Sequence, residues 1–314
     1  MKRIFLLSAL LLCLGPLAFG WGDEGHIAVN KAAAQALPRE VPVFLKNASQ
    51  RLGYLGPEPD RWRAKLEWQL KASQEPDHFI DLEPVEWLKP LPEDRYKFYR
   101  ALYEKRAADP AHPDSLSPEK VGLQPYIVAE TYGRLKVAFR EYRHAVRDRK
   151  PTYNAEQNVI FYAGWLGHYV ADGSNPLHTT VNYNGWVTTP NPNNYSTARD
   201  VHWKMEGPFV TANISRLAFS NLVGPARQLQ NPWAEYLNYL YDSHTYVERV
   251  YQLEQQKGFE NAGTPQSREF IARRLAAGTQ MLASMWYTAW MESAVDPPRY
   301  QPPKPEGTNT LSKK

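Results

Sequence analysis

The 314-residue chain contains one cysteine, Cys13, and it lies in an N-terminal leader-like stretch. The rest of the chain therefore excludes disulfides and thiolate chemistry. Any metal centre beyond the leader must use histidine, carboxylates or backbone groups. Excess charge is also scarce. A net +4, two units of it from Lys2 and Arg3, is too small to define a nucleic-acid or membrane partner. After the first twenty residues no apolar run is long enough to cross a bilayer. Alternating strand patterns and repeats of roughly 20–50 residues are missing as well. With 43% hydrophobic and 22% charged residues, the composition excludes intrinsic disorder and points to a globular protein.

The chain opens with Lys2-Arg3, an apolar run from Ile4 to Leu14, the breaker Gly15-Pro16, and Ala18-Phe19-Gly20. Small residues at the two positions read by a signal peptidase make residues 1–20 a predicted signal peptide, cleaved before Trp21. The protein is then expected to be secreted or periplasmic. A membrane anchor is the competing reading, but the run is shorter than the ~20 residues that a span requires.

Beyond the leader the sequence reads as helix after helix: 26–37, 41–52, 92–107, 125–147, 154–171, 197–222 with a bend at Gly207-Pro208, 231–256 and 265–294. In 125–147 apolar residues recur mostly at three-to-four spacing: Tyr126, Val128, Tyr132, Leu135, Val137 and Phe139. The strongly apolar 154–171 is expected at the centre. Residues 182–196, rich in Asn, Thr, Pro and Tyr, read as a loop. The predicted class is all-α. A single-domain multi-helix bundle is expected over 21–295 and a Pro-rich disordered tail over 296–314, in a monomer.

The chemistry-bearing residues are histidines and acids at helical spacing. His168 and Asp172 are four apart in one predicted helix and leave the same face; His202 and Glu206 repeat that step in another. His178 lies between the two pairs. Facing helices that carry such pairs can build a metal cluster. Its oxygen-and-nitrogen donors suit Zn²⁺, ahead of Mn²⁺ or Fe²⁺.

The runs "HYVADGSNPLH" (168–178) and "HWKME" (202–206) resemble the zinc-dependent superfamily of secreted single-strand nucleases and bacterial phospholipases C. "WGDEGH" (21–26), "DRWR" (60–63) and "HFID" (78–81) resemble its nuclease branch. The resemblance implies an all-helical fold with a trinuclear zinc cleft. Asp60, His78, His168 and Asp172 would hold one ion. His178, His202 and Glu206 would hold a second. His26, Asp172 and the amino group and carbonyl of Trp21 would hold a third, with Asp172 bridging. Because a terminal amine binds zinc and a peptide nitrogen does not, leader removal would complete the site. Asp60, Arg63 and Asp172 are the expected catalytic residues, and Arg63 would stabilise charge on the phosphoryl oxygens during attack by zinc-activated hydroxide. His112, His144 and His244 fall outside the pattern and read as surface or packing residues.

Two substrate classes follow from this resemblance. The nuclease branch implies an endonuclease or 3′-nucleotidase acting on single-stranded DNA and RNA. Phe79 would stack on a base, Asp81 would bind the base edge, and Asn184 would be a substitute substrate contact. The phospholipase C branch implies phosphatidylcholine-like lipids. It has Glu where this chain has Glu206, and Glu24 would attract a choline-type cation. A helical metal-binding protein without catalysis is the reading from a different class.

Overall fold

Several long helices start where the sequence supplies a cap followed by proline. Thr264 accepts a hydrogen bond from the Ser267 backbone N–H (3.1 Å), and the Ser267 hydroxyl accepts one from the Thr264 N–H (2.9 Å). With Pro265 in the first turn, this reciprocal cap opens a 28-residue helix. Asn231 accepts from the Ala234 N–H (3.0 Å) just ahead of Pro232 in the same way. The structure, a computed structural model, describes residues 21–108, 116–216 and 218–297. The expected signal peptide at 1–20, His112, and residues 298–314 of the expected tail lie outside the described residues.

In chain order the α-helices are α1 (Gly22–Gln35), α2 (Val43–Asn47), α3 (Ser49–Leu55), α4 (Glu58–Arg61), α5 (Trp68–Gln74), α6 (Arg95–Ala108) and α7 (Pro118–Val121). They continue with α8 (Gln124–Arg147), α9 (Tyr153–Ser174), α10 (Val201–Lys204), α11 (Val210–Asn213), α12 (Pro232–His244), α13 (Val247–Gln255) and α14 (Pro265–Glu292). Among the described residues the β-structure is limited to one isolated bridge, between Ile80 and Gly122. The all-α class read from periodicity is the class observed.

The broadest helix pair is α8 on α9; α14 packs across both and also meets α1. The buried stripe of α8 includes Tyr126, Thr131, Tyr132, Leu135 and Phe139. Val137, expected on that stripe, is 53% exposed, because it lies on the other side of the helix. The expected central helix is central: every residue of α9 from Leu166 to Ser174 is buried. Gly167 lets α1 approach it. Asn30 of α1 donates from Nδ2 to the carbonyls of Leu52 (2.9 Å) and Gly164 (3.1 Å), and a Cβ on Gly167 would lie 1.9 Å from the Asn30 Oδ1.

Because α9 ends inside the protein, its last carbonyls need partners other than water. Neighbouring helices and Trp21 supply them. Gln124 Nε2 donates to Tyr169 O (3.1 Å) and the Tyr239 hydroxyl to Val170 O (2.7 Å). Trp21 Nε1 donates to Ala171 O (2.7 Å), the Ser243 hydroxyl to Gly173 O (2.6 Å) and Arg274 Nε to Ser174 O (2.9 Å).

Three expected helices are broken. Residues 41–52 form α2 and α3, with Ala48 between them out of helical geometry. Residues 197–222 become α10, a π-helical turn (Met205–Phe209), α11 and shorter turns. The π turn contains Pro208, whose missing N–H cannot serve the ordinary helical register. Residues 231–256 split at Thr245-Tyr246 into α12 and α13. Residues 182–196 contain no helix or strand, as expected.

Gly167→Ala should force Asn30 away from the two carbonyls it serves. The expected loss is about 1–3 kcal/mol, read as a lower urea midpoint in metal-free protein. An unchanged midpoint would show that the α1–α9 contact has room to give.

Candidate metal centre

Six pieces of chain bring the candidate ligands together. α9 presents His168 and Asp172 one turn apart near its buried end. The chain then turns at Asn175, whose side chain accepts from the Leu177 N–H (3.0 Å), and so places His178 back over that end. α1 carries His26, α4 carries Asp60, and the 3₁₀ turn Glu75–His78 ends on His78. α10 and the π turn carry His202 and Glu206. None of these eight residues is more than 6% exposed.

The donor atoms converge into three groups among the described residues: His26, His168 and Asp172; Asp60, His78 and His168; and His178, His202 and Glu206. Asp172 turns one oxygen to each side. Its Oδ1 is 3.3 Å from His26 Nε2, while its Oδ2 is 3.2 Å from His78 Nδ1 and 3.3 Å from His168 Nε2. His78 Nδ1 lies 3.0 Å from His168 Nε2 and 3.7 Å from Asp60 Oδ1. In the third group His202 Nε2 is 3.1 Å from His178 Nε2 and 2.7 Å from Glu206 Oε2. A tetrahedral ion with bonds of about 2.0–2.1 Å has ligand–ligand edges near 3.3 Å. Most of these separations sit close to that edge.

The histidine tautomers also fit metal ligation. His168 Nδ1 is 2.8 Å from the Gly56 carbonyl, and His178 Nδ1 is 2.7 Å from the His78 carbonyl. A carbonyl can only accept, so each Nδ1 carries the proton and each Nε2 keeps its lone pair turned into the cluster. Several buried polar atoms find no hydrogen-bond partner in the protein, among them His26 Nε2 and Asp172 Oδ1, which face each other in the cluster, and the carboxylate oxygens Asp60 Oδ2 and Glu206 Oε1. Buried polar atoms seldom stay orphaned, and a cation satisfies acceptors of this kind. The residues present thus fit a metal centre.

The electrostatics agree. Burial pushes His26 down, His78 down to about 4 and His202 well below its ordinary value, which favours the neutral ring that metal binding requires. Burial opposes ionisation of Asp172 too, but without a cation the protonated forms of His178 and His168 outweigh it and hold the carboxyl well below the usual range, and Asp172 and Asp60 raise His168 against its own burial; a bound cation would take the place of those protons. Burial, with Asp172 and Asp60 adding repulsion, drives Glu206 well above it. Glu206 is the carboxylate most in need of a positive neighbour, and Asn175 Nδ2 gives it a neutral donor at 3.0 Å.

Beside the cluster is an open cleft of about 440 Å³, with Asp60, Glu206 and Arg63 in its walls. Arg63 donates to Asp60 (3.1 Å) and Glu75 (3.3 Å), and these acids hold its guanidinium charged despite burial. Sequence reasoning passed over Trp203 and Asp23, which also line the cleft, although both lie within the quoted runs; Glu24 does not line it. Asn175 was missed in the same way, though its place before Pro176 is a capping signal.

The remaining sequence expectations divide. Trp21 is fully buried and fixed by its indole, which reaches the carbonyl one residue before Asp172. Phe79 is half-buried and Asp81 buried, and neither is among the cleft-lining side chains. Asn184 spends its amide within the loop, donating to Arg199 O (3.1 Å) and accepting from the His202 N–H (3.4 Å) at the start of α10. It steadies the His202 helix. His144 pairs with Asp296 (3.2 Å), and His244 bonds the Thr179 carbonyl (2.9 Å), both away from the cluster.

No family model and no curated protein matches the chain. Among solved structures the chain is similar to a Clostridium perfringens alpha-toxin isolated from an avian strain, at 15% identity and a TM-score of 0.34. The match covers 88% of this chain and 64% of the toxin chain, so the protein spans less than two thirds of that structure's length.

His202→Ala should lower bound divalent metal by about one equivalent after dialysis, as counted by elemental analysis. Retention of the full complement would remove His202 from the ligand set. Burial and the neighbouring Glu83 push Asp81 up to about 8. The folded state then keeps a proton that the unfolded state loses from about pH 4. Stability should fall across that window as pH rises through 8. Asp81→Asn should lessen the fall in metal-free protein, measured by urea unfolding at pH 5 and 9, and leave the part due to Asp77, which burial pushes up to about 7, and to Glu206; an unchanged fall would show that Asp81 does not contribute.

Proposed function

We propose that the protein is a zinc-dependent hydrolase of phosphoric diesters, and that phospholipids are the better-supported substrate class. The observation that carries this reading is the convergence of three buried histidine–carboxylate groups beside a cleft walled by Arg63. Zinc would be held by Asp60, His78, His168 and Asp172; by His178, His202 and Glu206; and by His26 and Asp172, since the one free nitrogen of His168 can serve a single ion while Asp172 offers an oxygen to each side. In an exported chain beginning at Trp21, the Trp21 amino group and carbonyl would join His26 and Asp172. Bound zinc supplies Lewis acidity, lowering the pKa of water to about 7 and neutralising developing charge on oxygen.

The chain's own residues do the rest. Arg63, anchored by two acids, offers a pre-oriented planar cation to phosphoryl oxygens in the cleft. Asp172 ties two groups together through its two oxygens. Asp60 serves both the cluster and Arg63, so the metal centre and the phosphate-binding cation cannot drift apart. Asn175 holds Glu206 in place, and the carbonyls of Gly56 and His78 fix the rings of His168 and His178. Hydrolysis outside the cytoplasm follows if residues 1–20 are removed as the sequence suggests.

The choice of lipid rests on what the cleft offers. Trp203, 41% exposed, and Asp23 stand on its wall. An aromatic face near a carboxylate suits a cationic head group joined to the phosphate. The residues expected to hold a base, Phe79 and Asp81, are off the cleft lining, and Asp81 is pushed toward its neutral form. Single-stranded nucleic acid is the second reading. It is favoured by Trp203 itself, since an exposed ring also stacks on a base.

Chelation followed by zinc return tests the activity. Bis(p-nitrophenyl) phosphate hydrolysis should disappear with chelator and recover with zinc. Arg63→Ala should lower kcat by about 10²–10³-fold while zinc content is unchanged. Zinc-loaded protein that cleaves no phosphodiester would leave a binding protein. Phosphocholine release from lecithin, set beside mononucleotide release from denatured DNA and RNA, separates the two substrates.

A further inference from the structure

An aliphatic and aromatic tip stands in solvent next to the cleft. All residues from Ala64 to Leu70 are exposed. Leu66 is 93% exposed, Trp68 69% and Leu70 42%. The seven-residue helix α5, which starts at Trp68, buries none of its residues. Single exposed apolar residues are common, but Leu66 and Trp68, two large side chains close together where the chain enters an unburied helix, form an apolar tip that calls for a partner.

Position and charge say which partner. Arg61 and Ala64 line the cleft, so Leu66 begins within about 7 Å of chain from its edge. Arg61, ion-paired with Glu58 (2.5 Å), lies over the Tyr54 ring at 4.5 Å, and Arg51 lies over the same ring at 4.9 Å. Lys65 is exposed beside Leu66, and Glu67 is the one acid between Ala64 and Leu70. The apolar prongs are therefore flanked by cations on the cleft side. Aliphatic leucines gain nothing from base stacking but gain from hydrocarbon, tryptophan favours the head-group level, and arginine and lysine favour lipid phosphates.

We propose that residues 64–70 are a bilayer-docking element that seats the cleft on a phospholipid surface. The segment enters the head-group layer with Leu66 and Trp68 foremost, while Arg51, Arg61 and Lys65 meet phosphates. A lipid diester is then presented at the mouth of the cleft. This deepens the hydrolase reading and rests on it for the substrate; the docking itself rests on the exposed tip and its cationic flank.

The test uses zinc-loaded protein and the double variant Leu66→Ser/Trp68→Ser. Both side chains are exposed and off the cleft lining, so the fold is expected to hold, which circular dichroism checks. Wild type should sediment with vesicles of phosphatidylcholine containing a minor fraction of phosphatidylglycerol. The double variant should bind them roughly ten-fold or more weakly. Hydrolysis of soluble bis(p-nitrophenyl) phosphate should stay within about two-fold, because that ester needs no surface. Brominated lipid should quench wild-type fluorescence more than that of Trp68→Phe. Wild type that fails to sediment, or a double variant that sediments equally, overturns the proposal. So does a double variant that instead loses retention on single-stranded oligonucleotide or loses self-association. Absence of soluble-ester hydrolysis in wild type would sink the hydrolase reading alone, with vesicle binding still read independently.

Discussion

The structure depends on a helix that stops in the interior. α9 ends where water cannot reach its last carbonyls, and each unmet carbonyl would cost about 1–3 kcal/mol. The protein meets them with side chains from α8, α12, α14 and the residue before α1. This clamp fixes the end of α9 to four other pieces of chain. His168 and Asp172 sit on that fixed end, so the accuracy of the candidate metal centre comes from carbonyl satisfaction at a helix terminus. Trp21 takes part through its indole, so the piece of chain that leads into α1 is tied to the same point.

The clustered ligands are costly on their own. Three acids and five histidines share a buried volume in which charge is expensive, and the partial balance among them is uneven: His178 and His168 pull Asp172 well below the usual carboxylate range, while burial pushes Glu206 well above it. A protein that kept such a cluster without cations would carry orphaned polar atoms at its centre. With cations, the same atoms become the ligand set, and metal binding stabilises the fold. Folding and loading are therefore coupled through the same side chains.

Around the cluster, function is divided by side-chain chemistry. Arg63 is the cation nearest the acids and is kept oriented by two of them. Trp203 and Asp23 stand on the cleft wall, and the exposed 64–70 segment begins at the cleft's edge. Arg63, the Trp203 and Asp23 wall and the start of the exposed segment at Ala64 thus border one and the same cleft. Phe79 and Asp81, by contrast, are tied into the packing where the Ile80–Gly122 bridge forms, and a Cβ at Gly122 would come within 2.2 Å of the Phe79 carbonyl.

Local rules were enough to read much of this from the chain. The four-residue steps His168–Asp172 and His202–Glu206 share a helix face whatever surrounds them, and the absence of thiols beyond Cys13 limits the donors to nitrogen and oxygen. Proline after Thr264 and Asn231 marks helix starts because capping is settled within a few residues. Tertiary packing decided what spans longer distances. Gly207-Pro208 marked an interruption of 197–222, but nothing local showed that Asn184 would steady α10 or that Val137 would face water. Convergence of His26, Asp60 and His78 onto the end of α9 is likewise a property of helix packing, because these residues are far from it in the chain, whereas the local turn at Asn175 returns His178. Sequence determined which atoms were available to bind a cation. Only the folded arrangement, fixed by burying the end of α9, decided which of them meet and which residues form the walls of the cleft.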